Sequence, residues 1–355
     1  MKRVMHVISG LDTGGAEAFL VQLVFALKER GFDQTVVSVT SKGVHAPALE
    51  AAGIRVHALQ VGSLPGAMAS VGRLAVLVRR TKPDVMQGWM YYGDLFAAMA
   101  NRIVPGSRRL YWNLRASDTV EGGYGRLVRI NAKLSAWPDL VVANSQTGLD
   151  FHLKHGYRPC RTDVIPNGVN IEKFRPDPGD RAALRAEFGL PDDAIVAIHV
   201  ARLNPMKDHG SFLKAMQSLP HLRGLLVGAG TETLDLPGNL RALGLRADVD
   251  RLYRCADIVV SSSAFAEGFS NVLAEGMSTG LVPVATDVGD SRLIVGDTGQ
   301  VVPIRDPDAL AAALAFEAAH PEREARKVRA RARIVENFTL SRAVDRFATL
   351  YEAGA

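Results

Sequence analysis

Cysteine is nearly absent: the chain has two in 355 residues, Cys160 and Cys255, too far apart to suggest a disulfide framework, and a reducing compartment suits it. No run approaches the ~20 consecutive apolar residues of a membrane-spanning helix, and Met1-Lys2-Arg3 leads into only a short apolar segment, so neither a span nor a signal peptide is expected. Aromatics make up 6% and show no interleaved stacking motif, which argues against nucleic acid as a partner. The nine histidines lack metal-ligand spacing, and the expectation is no metal and no resident cofactor. G-x-G-x-x-G is missing, as is an acidic residue closing the second expected strand, so a nicotinamide cofactor is poorly supported. These absences leave a cytoplasmic protein.

Hydrophobic residues at 47% and charged residues at 22% give a globular composition, long enough for two α/β domains of ~150 to 180 residues each. A net charge of +5 favours anionic partners without naming one. In the first half, β-branched runs at 4–9, 34–39, 84–87, 109–113 and 139–143 alternate with helical patterns at 16–30, 92–104 and 125–136, which predicts a doubly wound parallel sheet. Around 166–180 the text turns to Pro166-Asn167-Gly168-Val169-Asn170 and Arg175-Pro176-Asp177-Pro178-Gly179-Asp180, read as a linker. Alternation then restarts, with strands expected at 195–200, 225–227, 258–261 and 282–285 and helices at 209–218, 249–255 and 270–280. The Ala- and Arg-rich stretch 310–333 and the amphipathic segment 341–351 are expected to be helical, with Arg323, Arg326, Lys327, Arg329, Arg331 and Arg333 on a solvated face.

Three segments carry chemistry. Ser9-Gly10-Leu11-Asp12-Thr13-Gly14-Gly15-Ala16-Glu17 joins the first strand to the first helix; its amides can face an anion, and Gly14 and Gly15 would permit positive φ, or it is an ordinary tight turn. Ala201-Arg202-Leu203-Asn204-Pro205-Met206-Lys207-Asp208 follows the first strand of the second domain, where open α/β sheets bind ligands. There Arg202 can fork onto phosphate oxygens and Lys207 adds a point charge. Glu267-Gly268-Phe269-Ser270-Asn271-Val272-Leu273-Ala274-Glu275-Gly276 leads into a helix whose first amides can hold phosphate, while Glu267 and Glu275 can accept from sugar hydroxyls.

Glu267 and Glu275 with seven residues between them, Arg202, Lys207, Gly14-Gly15-Ala16-Glu17 and Ile165-Pro166-Asn167-Gly168-Val169 together resemble glycosyltransferase family 4 of the GT-B fold, over nearly the whole chain. The resemblance implies two Rossmann-like doubly wound domains facing a central crevice, with a final helix crossing back to the first domain. On that reading, residues 1–170 with 338–355 form the acceptor domain and 171–337 the nucleotide-sugar domain. It also implies a retaining, metal-independent transferase that moves a hexose-type sugar from a nucleotide diphosphate, UDP being the family's usual choice, to a glycan or lipid-linked saccharide. Arg202 and Lys207 would hold the diphosphate and, with Glu267 on the donor sugar, be catalytic. Glu275 would hold the ribose, and Gly14, Gly15, Gly268, Phe269, Ser270 and Asn271 would complete the donor site.

Where many members carry a histidine at the end of a first-domain strand, this chain reads Tyr111-Trp112-Asn113-Leu114-Arg115-Ala116-Ser117, so Asn113 or Arg115 takes that place. Trp89 and Tyr91, in Gln87-Gly88-Trp89-Met90-Tyr91-Tyr92, offer faces for a sugar acceptor or else pack in the core. His152 and His155 read as a helix-surface pair, and Asp248-Val249-Asp250 and Asp306-Pro307-Asp308 as N-caps rather than metal motifs. Arg73, Arg79, Arg80, Lys82, Arg102, Arg108 and Arg109 give the first domain a basic bias, read as peripheral contact with the inner face of an anionic membrane or as solvated helix faces. Two rivals stand beside the transferase. A nucleotide-sugar epimerase of the same fold would turn over donor alone, and a noncatalytic sugar-nucleotide or anionic-glycan binding protein would release no diphosphate.

Overall fold

The computed structural model describes every residue except Thr13, Gly62, Ser63, 116–124, Gly354 and Ala355, together with the side chains of Leu64 and Pro65. Thr13, Ala116 and Ser117 of the motifs above therefore lie outside the described residues. The chain divides into two compact units, Met1–Gly168 with the segment from Ser341 onward, and Val169–Leu340.

The first unit is built on seven parallel strands: β1 (Arg3–Ile8), β2 (Asp33–Ser38), β3 (Arg55–Ala58), β4 (Val85–Trp89), β5 (Arg109–Leu114), β6 (Leu140–Ala143) and β7 (Thr162–Val164), in the order β3-β2-β1-β4-β5-β6-β7. Their buried faces are nearly continuous, as expected of a sheet covered on both sides. Helices α1 (Gly15–Glu29), α2 (Ala46–Ala51), α3 (Leu64–Thr81), α4 (Met90–Ile103), α5 (Gly125–Leu134) and α6 (Gln146–Lys154) make the crossovers. The last helix, α14 (Leu340–Ala353), returns to this unit, as the resemblance implied. Tyr351 donates to Gln87 Oε1 inside it, and Phe347 stacks on Trp89 with ring centroids 6.0 Å apart.

The second unit has six parallel strands, β8 (Val196–Val200), β9 (Arg223–Val227), β10 (Leu240–Ala242), β11 (Ile258–Ser261), β12 (Val282–Thr286) and β13 (Gln300–Val302), ordered β10-β9-β8-β11-β12-β13. The helices are α7 (Pro178–Phe188), α8 (His209–Gln217), α9 (Val249–Arg254), α10 (Asn271–Ser278), α11 (Ser291–Val295), α12 (Pro307–Ala319) and α13 (Arg323–Asn337). In both units the order reverses beside the first strand, between β1 and β4 and between β8 and β11, and loops leaving the carboxyl ends there flank the crevice where such sheets take ligands.

Three expectations are corrected. The turn-like text at 177–180 opens α7, because Asp177 caps the Gly179 and Asp180 amides and Pro178 sits where its missing N–H costs nothing. The stretch 310–333 is two helices, broken around Pro321. The basic face of α13 is largely docked: Arg326 forks onto buried Glu317, Lys327 reaches buried Asp257, Arg331 donates to the Phe174 and Ser278 carbonyls, and Arg333 to those of Leu293 and Ile294; only Arg329 is exposed in the way expected of the cluster. Asp257 also accepts from Arg181 and Arg185; burial would raise its pKa, but Lys327 and Arg181 hold the carboxyl below its usual range.

Candidate active site

At the switch point of the second sheet, the β8 loop turns through the short 3-10 segment Pro205–Lys207 and brings the Lys207 ammonium onto Glu267, which follows β11. Side chains 60 residues apart thus form one ion pair, at the neighbouring ends of adjacent strands. Ser263 donates to the same Glu267 oxygen at 2.8 Å. Ala266, just before it, has φ 60°, a left-handed conformation that costs a non-glycine residue about 1 kcal/mol and persists where surroundings over-determine it. The support is visible: Asp290 N donates to Gly268 O at 3.0 Å, and Thr286 Oγ1 to Ser263 O at 2.6 Å.

The Lys207 loop is braced in turn. Ser262 Oγ donates to the carbonyls of Lys207 and Asp208, at 2.8 and 3.1 Å, and lies 2.9 Å from His199 Nε2, while Ala264 N donates to Met206 O. Gly228, at φ 146°, lets β9 pass against this loop; a Cβ there would collide with Ala201 O. Arg202 is exposed and pairs with no described residue, leaving its guanidinium available.

Helix α10 starts at Asn271, and the Ser270 side chain at its N-cap does not cap its first turn. The Phe269 ring packs on Phe338, centroids 5.4 Å apart, so this residue offers its backbone only. Glu275 lies in the second turn and is not brought to Lys207; its partner is the Tyr253 hydroxyl, 3.3 Å away on α9. Burial pushes its pKa up to about 7, against the pull of that hydroxyl and of Lys173.

In the first unit Gly14 is extended at φ −171° rather than left-handed, correcting the expected positive φ; what its missing side chain provides is room for the Glu17 carboxylate. Gly15 is the first residue of α1. Beyond β5, Arg115 is 8% exposed and, among the described residues, has no acidic partner: Nε donates to Asn113 Oδ1 at 2.8 Å, Nη1 donates to Asn167 Oδ1, and Nη2 meets no described acceptor. Its guanidinium lies 4.2 Å from the Phe19 ring centroid and 4.8 Å from that of Trp89, and burial draws its pKa down to about 9. The Asn113 backbone N–H donates to Asp94 Oδ1, a fully buried carboxyl raised far above its usual range by desolvation.

Trp89 and Tyr91 are core residues, which corrects their reading as acceptor faces. Trp89 donates to His6 Nδ1, and Tyr91 is 3% exposed with its hydroxyl 2.9 Å from His152 Nε2. Because Gly148 O can only accept, His152 Nδ1 carries the proton and Nε2 accepts from Tyr91. His152 is therefore no surface residue; burial lowers its pKa to about 4 and keeps it neutral, while His155 is exposed. Asp306 caps α12 through Ala309 N as expected, whereas Asp248 gives its carboxylate to Arg246 instead of the helix. Sequence reasoning passed over Ser262, Ser263, His199 and Tyr253; the polar run Ser261-Ser262-Ser263 directly after an apolar strand was the available signal for the first two.

Two family models match the chain, one described as Glycosyltransferase Family 4 over residues 13–173 and one as Glycosyl transferases group 1 over 194–316. Among curated proteins it is similar to D-inositol 3-phosphate glycosyltransferases. That of Mycobacteroides abscessus is 34% identical over 184 residues, covering 46% of this chain and 41% of the relative. That of Streptomyces coelicolor is 30% identical over 279 residues, covering 68% and 60%. That of Rhodococcus erythropolis is 27% identical over 392 residues, covering 97% and 87%. The first of these relatives are thus matched over about half their length. Anabaena HepE in complex with UDP superposes with a TM-score of 0.87 at 23% identity, over 99% of this chain and all of that one; the lipopolysaccharide glycosyltransferase WaaG superposes with 0.73 at 16%, over 98% and 99%. Fold and matched models define a glycosyltransferase of the GT-B fold. Within that fold, the chain belongs to glycosyltransferase family 4.

Proposed function

We propose that the protein transfers a hexose-type sugar, with retention, from a nucleotide diphosphate donor, UDP being preferred, to a glycan or lipid-linked saccharide acceptor. The observation that carries this reading is the Lys207–Glu267 pair, formed by a loop that also bears exposed Arg202, ahead of the start of α10. Cleavage of the donor bond moves negative charge onto the diphosphate, and fixed cations lower that barrier most where they need not reorganise. Arg202 would fork onto phosphate oxygens, Lys207 would hand its charge from Glu267 to the diphosphate, Glu267 would then face sugar hydroxyls, and the amides of Gly268, Phe269, Ser270 and Asn271 would take the distal phosphate. Glu275 would accept the ribose diol. In the retaining route a donor phosphate oxygen takes the acceptor proton, so no side-chain base and no metal enters. Gly14 and Gly15 would be the first unit's contribution, with Asn113 and Arg115, both buried, supporting its carboxyl edge from the core. The UDP and UDP-glucose complexes of the HepE neighbour support the choice of base, and the relatives named for an inositol phosphate support a polar acceptor. Peripheral contact with an anionic membrane is kept in the reading for its basic first unit.

Arg202→Ala and Lys207→Ala should each lower turnover on the order of 10²-fold or more, equivalent to ~3 kcal/mol per cation. Uridine, guanosine and adenosine diphosphate sugars, compared by thermal shift, identify the donor, since a ligand that binds only the native state raises its melting temperature. Unchanged turnover in both variants removes the clamp. Turnover of donor alone without net release of diphosphate assigns an epimerase instead.

A further inference from the structure

The first sheet has a second edge. Its strands are parallel and in register, Val4 opposite Val85 and Val85 opposite Arg109, so the residues preceding β1, β4 and β5 meet at one amino-terminal end. At ~3.3 Å per residue this end is roughly 20 Å from the carboxyl edge that bears Arg115 and the Gly14 loop. A cavity of about 600 Å³ opens there. Its charged lining is Lys2, Arg3, Arg79, Lys82, Arg108 and Arg109, six cations against the single carboxylate of Asp84.

Asp84 is already committed: Arg3 donates to it from its backbone and its guanidinium, which holds the carboxyl below its usual range. Arg109 pairs with Asp139 at 3.2 Å, and Arg108 is pinned by Asn101 Oδ1 and the carbonyls of Val104 and Pro105. Lys2, Arg79 and Lys82 pair through their side chains with no described residue. The carbonyl ends of α3 and α4 also point toward this edge, but each amounts to about half a negative charge, so together they leave most of the excess uncompensated.

Lys82 supplies a second, independent sign. It follows the last turn of α3 at φ 46°, the left-handed position where helices ordinarily place glycine, and it precedes Pro83, which further disfavours a helical backbone. A lysine there is strained, and what it gains is an ammonium at the cavity mouth. The geometry points to a phosphate-binding site at the amino-terminal edge of the first sheet, held by Lys2, Arg79, Lys82 and Arg108 and separate from the proposed donor clamp. Four cations around one cavity suit an anionic phosphate group, whether a monoester or a diester, and the volume admits a phosphorylated polyol as well as a bare ion. That chemistry is shared by a soluble phosphate ester and by a phospholipid headgroup.

The test uses the full chain carrying Arg202→Ala and Lys207→Ala, so that the proposed donor clamp contributes nothing. Binding is measured by titration with inorganic pyrophosphate and by sedimentation with phosphatidylcholine vesicles containing phosphatidylglycerol, at low salt. Saturable pyrophosphate binding identifies a soluble phosphate ligand, and vesicle binding alone identifies a headgroup. In either case Arg79→Glu and Lys82→Glu should each weaken it at least about fivefold. Lys82→Gly is decisive for folding artefacts: it should raise the melting temperature by relieving the backbone while still weakening binding. No binding to either probe, or binding that these three substitutions leave unchanged, overturns the site.

Discussion

The carboxyl edges of the two sheets solve the same problem in opposite ways. In the second unit, Lys207 is partly open to solvent and pairs with the buried carboxylate of Glu267, and Arg202 is exposed. In the first unit, Arg115 is buried among Phe19, Trp89 and Phe347 with two amide oxygens and, among the described residues, no acid. Burying a guanidinium costs several kcal/mol, and three ring faces with two hydrogen bonds offset part of that here. The cation of the first unit is thus part of its core, whereas those of the second unit stand on a scaffold that does not need them.

The sharpest way to break that contrast is to remove the charges one unit at a time. Arg115→Ala should destabilise the protein by about 3 to 5 kcal/mol, because it empties the space between three rings and removes the donor to the buried Asn113 Oδ1. Arg115→Met, which refills the volume, should recover a good part of the loss. Denaturant unfolding measures both, and a loss under about 1 kcal/mol for the alanine variant would mean that the cage is not structural. A smaller effect is expected across the divide: Lys207→Met should cost about 1 to 2 kcal/mol, because Ser263 still donates to the buried Glu267 carboxylate, while turnover collapses. A large stability loss there would erase the distinction.

The same contrast decides what could be read in advance. Strand β11 falls on the expected residues 258–261, and most expected elements lie within a residue or two of their observed ends, because a covered parallel sheet writes itself as apolar runs spaced by helical periodicity. The strands β3, β7, β10 and β13 went unread, since they are the edges of the two sheets and, only partly buried, lack the apolar run of the inner strands. In the second unit, the charged residues singled out sit on loops at strand ends, where Lys207 and Glu267 meet; their type and position were sufficient signal. In the first unit, whether Trp89 faces a ligand or the core depends on Phe347, more than 250 positions away, and no local pattern encodes that contact. Glu275 fell between the two: its helix was foreseen, but its tie to Tyr253 was not.

That tie supplies the finest test of how the second unit uses charge. The Glu275 carboxyl titrates near 7 in the folded chain and near 4.5 when solvated, so between these values the native state holds a proton that the unfolded chain has lost. Stability should fall as pH rises from 4.5 to 7 and level off above, and Glu275→Gln should remove that part of the slope. Donor affinity should move the other way, because only the carboxylate accepts from both ribose hydroxyls: binding tightens as pH passes through 7 in the parent protein and stays flat in Glu275→Gln. Melting curves and donor titrations across pH 5 to 8 read both trends. If the parent and the glutamine variant show identical slopes, the carboxyl is neither buried as described nor engaged by the donor, and the second unit's site contracts to Arg202, Lys207, Glu267 and the start of α10.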